Sequence, residues 1–454
     1  MNFISCVKWV KQGVTKNIPD NVNLNENELN ELMHEVENED DENDENEVKP
    51  SLSHDEYNFE NYDKEDDRCR VSLKGIATFN KDNKKRNRYN DNSNESSDKE
   101  DETIKDDDNL ILVGHVDNDM NSLEVYVYNE NDGDMYIHHD LILKAPPLCI
   151  EWLFLDSNSE YNNICAVGSM KSVIEFWDLD VMNCVEPIFK LGRSKKRNPD
   201  KNYGHTDAVL SIAWNTELTH ILSSGSVDCK TLLWDLDEGK VSTEINVFSD
   251  KVQTLLFNPH SPFYLLTGCA DGYMRNFDCR VYNKFNKINL SSSVESIVWD
   301  INNEFCCFAG TSNGKIYYLD FRTNMPIWSI SAHNKEVTGL NIYKNNSKIL
   351  VSVSADELVK YWEPDTQKLI YSKDIKIGPL QCMDINPNYP YLACIGGFCE
   401  TNNKKILNVI NIDDTINSSK KEIIKTCETS FKAPLLEKSH VKFTKLKKKK
   451  KKHQ

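Results

Sequence analysis

A two-residue pattern, an aromatic or aliphatic residue followed by an acid or an amide, recurs along this chain at a nearly constant spacing. Its strongest copies are Trp177-Asp178, Trp234-Asp235 and Trp362-Glu363. Consecutive copies lie 42 to 57 residues apart, and the weaker copies are Tyr128-Asn129, Phe277-Asp278, Leu319-Asp320 and Ile410-Asn411. A period of this length indicates an array in which one small supersecondary unit is repeated.

A second ladder runs in the same register. It consists of Trp152, Trp214, Phe257, Trp299, Ile342 and Ile385. The best copy, residues 204–235, opens with Gly-His, contains three short apolar segments and closes on Trp-Asp, the order typical of a WD40 β-propeller blade. Because a single blade leaves both of its faces uncovered, several must pack together. We count seven copies and predict an all-β fold, a seven-bladed WD40 propeller over residues 109–430.

Two blades contain serine, histidine and aspartate, the residue types of a hydrolase triad. His205 and His333 each lie 29 residues before a tryptophan of the ladder. This equal spacing predicts a structural relay in which Asp holds His, His bonds Ser, and Ser bonds the tryptophan indole. The predicted relays are His205, Ser224, Asp228 and Trp234, and His333, Ser352, Asp356 and Trp362. We find no phosphate-binding loop or metal-binding motif, and we predict no cofactor and no enzymatic activity.

Residues 1–33 are predicted to form a separate strand-and-helix module. An apolar segment ends near Trp9, and Leu24, Leu29 and Leu32 fall at helical spacing. Such a stripe must dock on something. Two alternatives stay open: the module packs on the rim of the propeller, or Trp9 and the stripe bind a partner.

Residues 34–108 are predicted to be a disordered linker. Nine carboxylates fall in the thirteen residues 35–47, and Asn, Asp and Lys dominate 80–108. The strands expected from residue 110 onward lack a first strand before them. We expect the short apolar segment 71–79, or strands near the C-terminus, to complete this blade.

Two basic segments are candidate interaction sites. The insertion 193–203 carries Arg193, Lys195, Lys196 and Arg197, which form either a solvated loop or a contact for phosphate or an acidic partner. The tail 431–454 contains six consecutive lysines, typical of a nuclear or nucleolar signal or of an RNA-phosphate contact. These are Lys447, Lys448, Lys449, Lys450, Lys451 and Lys452.

Composition limits the other classes of function. The net charge of −18 argues against general nucleic-acid binding, and eight lysines between 442 and 452 suggest separate partners for an acidic body and a basic tail. The 14 cysteines include no Cys-x-x-Cys pair, so we expect buried, reduced thiols. His138 and His139 are neighbours on a strand and should not share a metal ion. No run of 18 apolar residues and no secretory segment occurs, so we expect a soluble, intracellular protein without membrane contact.

Several longer phrases resemble the periodic tryptophan protein 1 family. They include CVKWVKQGVTKNIPD, DNLILVGHVDNDMNSLEVYVYN, YIHHDLIL, VIEFWDLD, GHTDAVLSIAWN and SAHNKEVTGL. The resemblance implies a scaffold of the nucleus and nucleolus that acts with pre-ribosomal proteins in rRNA synthesis or large-subunit precursor maturation. It also implies contact with chromatin and histones in animal members. The chain departs from the family at Ile410-Asn411, which replaces Trp-Asp, and in its acidic and lysine-rich tracts.

Two other functions compete with this interpretation. An acidic propeller could bind histones and regulate rDNA transcription, and WD40 propellers also serve as ubiquitin-ligase substrate receptors. The Trp-Asp-x-Arg signature of such receptors is absent, since the dyads continue as Leu179-Asp180 and Leu236-Asp237. Direct contact with rRNA is a further open alternative. Without amphipathic heptads, we expect a monomer within a larger assembly.

Overall fold

The computed structural model of this chain is built almost entirely of β-strands. It describes residues 2–21, 103–117, 120–155, 163–192, 204–281, 284–344, 348–399 and 405–417. Within these ranges the helical residues are confined to 412–417. The all-β class and the WD40 propeller expected from the repeats are confirmed, whereas the predicted helix at residues 24–33 lies outside the described residues.

Five sheets contain four strands each, and all of them are antiparallel meanders. They comprise β6 (Pro147–Phe154), β7 (Asn163–Ser169), β8 (Ile174–Asp178) and β10 (Phe189–Leu191); β11 (Val209–Trp214), β12 (Ile221–Ser226), β13 (Thr231–Asp235) and β14 (Lys240–Ile245); β15 (Val252–Asn258), β16 (Ser261–Cys269), β17 (Tyr273–Asp278) and β18 (Phe285–Asn289); β19 (Val294–Trp299), β20 (Cys306–Thr311), β21 (Lys315–Asp320) and β22 (Met325–Ser331); and β23 (Val337–Lys344), β24 (Lys348–Ser354), β25 (Leu358–Glu363) and β26 (Lys368–Asp374).

The two sequence ladders correspond to two strands of every such sheet, which we call a blade. The first strands β11 and β19 end on Trp214 and Trp299, and the third strand β13 ends on the dyad Trp234-Asp235. In the register of the sheet, Trp234 lies opposite Leu222 of the second strand. Large apolar residues at these fixed positions pack between neighbouring blades, with Trp234 buried and Trp214 partly buried, so the period of the sequence is the period of the packing.

A sixth sheet contains seven strands and joins the two ends of the propeller. It consists of β1 (Asn2–Trp9), β3 (Asn109–Asp117), β4 (Met120–Tyr128), β5 (Met135–Ile142), β27 (Leu380–Ile385), β28 (Leu392–Cys399) and β29 (Leu407–Asn411). Its order is β27-β28-β1-β3-β4-β5, with β29 also on β28. A separate two-stranded parallel sheet pairs β2 (Asp20–Asn21) with β9 (Val181–Met182).

The missing first strand of the first blade is β1, which pairs with β3 from Phe3 opposite Val116 to Trp9 opposite Ile111. The expectation that the segment 71–79 or C-terminal strands fill this place was therefore wrong. A strand from the N-terminus takes this place because its apolar residues pack between two neighbouring blades. Ile4 and Trp9, for example, are both only 1% exposed. The segment 71–79 itself lies outside the described residues.

The first strands share an irregularity that identifies β1 as one of them. In every case the pairing with the second strand shifts by one residue immediately after a buried residue near the start of the strand. These residues are Ile4, Pro147, Val209, Val252, Val294, Val337 and Leu380. The repeat thus extends to a strand that lies about 100 residues before the strand with which it pairs.

The first strands contact one another in the order β1, β6, β11, β15, β19, β23 and β27, and β27 contacts β1 in turn. Within the unit formed by residues 1–410, this circuit is what a closed propeller requires. The group β27, β28 and β29 shows three strands among the described residues. The blade count of seven stays a prediction.

Polar side chains or backbone groups bond each first strand to the next. Such bonds supplement the apolar packing at every seam of the circuit. They join Lys8 Nζ to Glu151 Oε2 (2.8 Å), Cys149 Sγ to the Val209 carbonyl (3.7 Å), the Leu255 N–H to Ser211 Oγ (3.0 Å), Gln253 Nε2 to Glu295 Oε2 (3.0 Å), Ser296 Oγ to the Val337 carbonyl (2.9 Å), Thr338 Oγ1 to the Leu380 carbonyl (3.0 Å) and the Trp9 N–H to Asp384 Oδ2 (2.9 Å).

The strand at residues 2–9 therefore belongs to a propeller sheet, although the predicted domain boundary at residue 33 placed it in a separate module. Residues 10–108 connect the first strand of a blade to its second strand. The described parts of this connection pack on each other, since the Ile104 N–H donates to the Asn17 carbonyl (2.8 Å) and Gln12 Nε2 donates to the Asp106 carbonyl (2.9 Å). The acidic tract is an insertion within one blade and not a linker between two domains.

Candidate interaction site

The third blade brings its four predicted relay residues together. Trp234 Nε1 donates to Ser224 Oγ (2.7 Å), Ser224 Oγ lies 2.7 Å from His205 Nε2, and His205 Nδ1 lies 3.0 Å from Asp228 Oδ2. Asp228 also accepts the Thr206 N–H (2.9 Å). The chain of bonds therefore runs from the third strand through the second strand to the connection that precedes the first strand.

The sixth blade repeats this geometry. Trp362 Nε1 donates to Ser352 Oγ (3.0 Å), which lies 2.8 Å from His333 Nε2, and His333 Nδ1 lies 3.0 Å from both oxygens of Asp356. Burial lowers the pKa of the His333 imidazole. A neutral ring of this kind accepts from serine at one nitrogen and donates to aspartate at the other.

The acidic members of both relays are ionised at neutral pH. Burial opposes ionisation of Asp228 and Asp356, but hydrogen bonds from the two histidines and from backbone N–H groups outweigh it and hold the pKa of each carboxyl below its usual range. Both serines are 0% exposed and bonded on two sides. Their hydroxyls cannot reach a substrate in this arrangement, which supports a structural role for the relays.

The fourth blade uses a different device that the sequence did not reveal. Phe248, Thr267 and Phe277 occupy the places of the relay histidine, serine and tryptophan, while Asp271 keeps the place of the aspartate. Arg275 forms a bidentate ion pair with Asp271, at 3.1 and 2.6 Å, and its guanidinium lies 5.0 Å from the centre of the Phe248 ring. The arginine thus replaces histidine as the partner of the aspartate.

A second set of bonds between blades lies at the face where first and second strands are connected, which we call the lower face. Asn215 Nδ2 donates to the Pro262 carbonyl (2.8 Å), and Asn258 Nδ2 donates to the Glu304 carbonyl (2.9 Å). Each asparagine follows the ladder residue that ends or nearly ends its first strand. Asn386 follows Ile385 and binds Asn109 Oδ1 (3.0 Å) in the same way. This pattern was readable in the sequence and was missed.

At the fifth blade an ion pair replaces the asparagine. Asp300 follows Trp299 and accepts from Lys348 Nζ of the next blade (2.5 Å) and from the Tyr318 hydroxyl (2.7 Å). The side chains of Lys348 and Asp300 are only 11% and 2% exposed. Burial and hydrogen bonding to Asp300 both raise the pKa of Tyr318, so this hydroxyl stays protonated and donates.

Trp9 was proposed to contact a partner or the propeller, and the structure supports only the second role. The side chain is 1% exposed, its Nε1 donates to the Asp384 carbonyl (3.2 Å), and its ring packs edge-on against Tyr128. Partner contact by Trp9 was therefore a wrong expectation. The remaining candidate residues lie outside the described residues: Leu24, Leu29, Leu32, Arg193, Lys195, Lys196, Arg197 and Lys447 to Lys452.

The lower face carries exposed residues with a recurring geometry. Arg280 and Arg322 each pair with an aspartate two residues earlier, Asp278 (2.8 Å) and Asp320 (2.7 Å). The Arg280 guanidinium also lies over the Phe263 ring, 4.5 Å from its centroid, and the Arg322 guanidinium lies over the Phe305 ring, 5.0 Å from its centroid. Both arginine side chains are more than half exposed. These paired groups are candidates for contact with a partner protein.

Groups suited to metal binding are absent from the described ranges, where no cluster of three His, Cys, Asp or Glu side chains could hold an ion. His138 and His139 do approach each other, with 2.9 Å between their Nδ1 atoms. The described cysteines are free thiols, and burial raises the pKa of Cys6 and of Cys279 to about 12. Among the described residues no helix is long and apolar enough to cross a membrane.

The fold and the relays define a WD40-repeat propeller protein. The family model "WD domain, G-beta repeat" matches residues 198–235 and 324–363. A periodic tryptophan protein 1 homolog of Drosophila melanogaster is 36% identical over 429 residues, 87% of this chain and 92% of the relative. Periodic tryptophan protein 1 of Saccharomyces cerevisiae is 27% identical over 85% of this chain and 84% of the relative. The chain belongs to the periodic tryptophan protein 1 family.

A weaker similarity extends to a protein that is named for ribosome biogenesis. The ribosome biogenesis protein WDR12 homolog of Drosophila mojavensis is 25% identical over 207 residues, which are 44% of this chain and 48% of the relative.

Proposed function

We propose that this protein is a non-enzymatic WD40 scaffold in ribosome biogenesis, which holds proteins of pre-ribosomal particles together in the nucleolus. The observation that carries the proposal is membership of the periodic tryptophan protein 1 family along nearly the whole chain. The similarity to a relative named as a ribosome biogenesis protein supports the same process. Within ribosome biogenesis, the proposed scaffold acts in rRNA synthesis or in the maturation of large-subunit precursors.

The geometry supports binding by surfaces rather than chemistry at a site. The histidine, serine and aspartate groups of two blades are bonded to one another inside the sheets. The exposed polar groups, such as Arg280 and Arg322, lie on the connections between strands. Rigid blades that present variable connections are the usual basis of protein recognition by propellers.

The proposal is tested by affinity purification of the tagged full-length protein from nuclear extract, with and without RNase, followed by mass spectrometry. We expect large-subunit assembly factors and ribosomal proteins. If they survive RNase, the contacts are made between proteins, and if they are lost, rRNA takes part. Recovery of histones or ligase subunits without assembly factors would contradict the proposal.

A histone-binding propeller that regulates rDNA transcription is a second candidate. It is favoured by the net charge of −18 and by the carboxylates of residues 35–47, which complement basic histone tails. Binding to histone peptides at near-physiological salt tests this candidate. Salt screens the long-range attraction between exposed charges, so binding that rests on that attraction alone would be lost. A variant with the acidic residues of 35–47 replaced by Gln and Asn is the matched control.

A ubiquitin-ligase substrate receptor is a third candidate. The Trp-Asp-x-Arg signature is absent in the strict sense, but Asp-x-Arg follows Phe277 and Leu319 in two consecutive blades. The structure places both arginines, Arg280 and Arg322, on exposed turns. Loss of ligase subunits from the purified material on Arg280→Ala and Arg322→Ala substitution would favour this candidate.

A further inference from the structure

The outer strand of the fifth blade, β22, has an open edge. It is the last strand of its sheet, and among the described strands it pairs only with β21. The Ala332 N–H donates to the Gly314 carbonyl (3.0 Å). In an antiparallel ladder this bond means that Lys315 and Ser331, which lie opposite each other, exchange no backbone bonds. Because such pairs alternate along the ladder, the N–H and C=O groups of both Ser329 and Ser331 point away from the sheet.

The other blades protect this edge with charge. Charged side chains on an outer strand, above all lysine, prevent it from pairing with a further strand. Each of the other fourth strands that the structure describes has such a residue: Asp140 in β5, Lys190 in β10, Lys240 and Glu244 in β14, Lys287 in β18, and Lys368, Lys373 and Asp374 in β26. The strand β22, Met-Pro-Ile-Trp-Ser-Ile-Ser, has none. The outer edge of the fifth blade therefore lacks the usual protection.

The sixth blade offers a position-by-position comparison. In the two blades the pairing of the third and fourth strands shifts by one residue at the same place, after Tyr318 and after Tyr361. Aligned at this shift, Ser329 of β22 corresponds to Ser372 of β26. Three charged residues of β26, Lys368, Lys373 and Asp374, stand where β22 has Met325, Ile330 and Ser331. Ser372 is thus the matched position on a protected edge.

Exposed apolar side chains continue this edge onto the lower face. Ile327 is 53% exposed, and Met325, at the lower end of β22, is 67% exposed. Arg322 lies in the turn that precedes Met325, and its guanidinium covers the ring of Phe305. Phe305 is itself 41% exposed. Arginine, methionine and aromatic residues are enriched where proteins bind one another, so this strip is suited to a partner protein.

We propose that an extended segment of a partner protein adds to β22 as a further strand of the fifth blade. Its main chain bonds the outward N–H and C=O groups of Ser329 and Ser331. On one face its side chains lie beside Trp328 and Ile330, which are apolar and partly buried, so the segment is uncharged with apolar residues at alternate positions. This edge gives the proposed scaffold a surface for one partner, and the assignment rests on that function.

A second copy of this chain fits the edge less well than a partner segment. The open part of β22 is limited to residues 327–331, because Pro326 has no N–H and the Ala332 N–H is already bonded. This length of strand spans about 17 Å. Two identical edges of this length would bury far less than the roughly 1,000 Å² that a stable interface needs. An extended segment can continue along Met325 and Phe305 and bury more.

The first test blocks the edge and leaves the ladder intact. Ser329→Pro removes an N–H that β21 does not use, and edge strands tolerate proline at such positions. The tagged full-length variant is purified from nuclear extract and compared with the wild type by quantitative mass spectrometry. We expect at least one protein partner to fall by about tenfold, because its strand loses a hydrogen bond. Ile327→Lys, which adds the charge that other edges carry, should have the same effect.

The matched control is Ser372→Pro, which should lose no partner. The melting temperatures of the three variants should equal that of the wild type. If Ser329→Pro and Ile327→Lys both keep every partner, the edge proposal is overturned and the scaffold function stands. If they lose partners that are not ribosome assembly factors, the edge proposal is upheld and the ribosomal role is contradicted.

The second test distinguishes strand addition from other contacts. A benzophenone amino acid at Ile327 of the full-length protein identifies the cross-linked segment of the lost partner, which is then synthesised as a peptide. We expect this peptide to abolish the fast hydrogen exchange of the Ser329 and Ser331 amides, since those of Trp328 and Ile330 already bond β21. A peptide that binds without protecting these amides would overturn the proposal, as would cross-links only to a second copy of this chain.

Discussion

At the scale of single residues, Ser224 joins the second strand, the third strand and the preceding connection of its blade. Its hydroxyl bonds Trp234 Nε1 and His205 Nε2, both at 2.7 Å. Ser224→Ala leaves two buried groups unpaired, each of which costs about 1–3 kcal/mol. We expect the free energy of unfolding to fall by at least about 2 kcal/mol in urea denaturation. Ser242→Ala, at an exposed position of the same blade, is the control and should be neutral.

His139 gives the propeller a dependence on pH. Burial, and to a lesser degree His138, lower its pKa from 6.5 to about 4. The folded state therefore binds a proton less readily than the unfolded chain, and stability falls as pH drops below about 6.5 toward 4. Between pH 7 and pH 5 this one group removes about 2 kcal/mol from the free energy of unfolding.

The measurement is the free energy of unfolding as a function of pH for the wild type and for His139→Leu. We expect a shallower decline in the variant, because the unfavourable protonation of a side chain only 8% exposed is gone. His220→Gln, at an exposed turn of the third blade, should keep the wild-type slope. If the curves for the wild type and His139→Leu are parallel, the pH dependence of stability comes from other titratable groups.

At the scale of strands, β1 is the element on which closure of the circuit depends. Trp9 bonds Asp384 through both its backbone N–H and its indole, and its side chain is almost fully buried. Trp9→Ala should lower the free energy of unfolding by about 3–5 kcal/mol, the usual cost of emptying an aromatic core site. Phe305→Ala, at a residue 41% exposed, should cost far less. A Trp9 variant that melts like the wild type but loses its partners would restore the partner-contact role.

The strands that the sequence predicts well are those with local repeats. Trp214 and Trp234 lie within one short unit, so their spacing reports the register of their strands directly. The place of β1 could not be predicted in this way, because Trp9 pairs with Ile111 across an insertion. Among the site residues, the relay around His205 repeats at His333 and is readable from spacing. The role of Arg275 could not be predicted from spacing, because its ion pair with aspartate replaces the relay histidine and follows no repeated pattern in the sequence.

At the scale of the whole propeller unit, the two charged insertions leave from opposite faces. The acidic insertion connects first and second strands, with described ends at Asn21 and Thr103. The basic insertion 193–203 connects the fourth strand β10 to the first strand β11, with described ends at Gly192 and Gly204. In an antiparallel meander these two kinds of connection lie at opposite ends of the strands. Partners of opposite charge can therefore bind without competing for one face.

Substitution of the C-terminal lysines tests what directs the protein to its location in the cell, independently of its fold. Replacement of Lys447 to Lys452 by glutamine should abolish nucleolar accumulation of the fluorescently tagged protein, because a receptor reads the positive charge. Its melting temperature should not change, since six adjacent lysines do not enter a packed core. The control replaces Arg193, Lys195, Lys196 and Arg197 by glutamine and should stay nucleolar. If the lysine variant reaches the nucleolus but loses its RNase-sensitive partners, the tail binds RNA phosphate and is not an address.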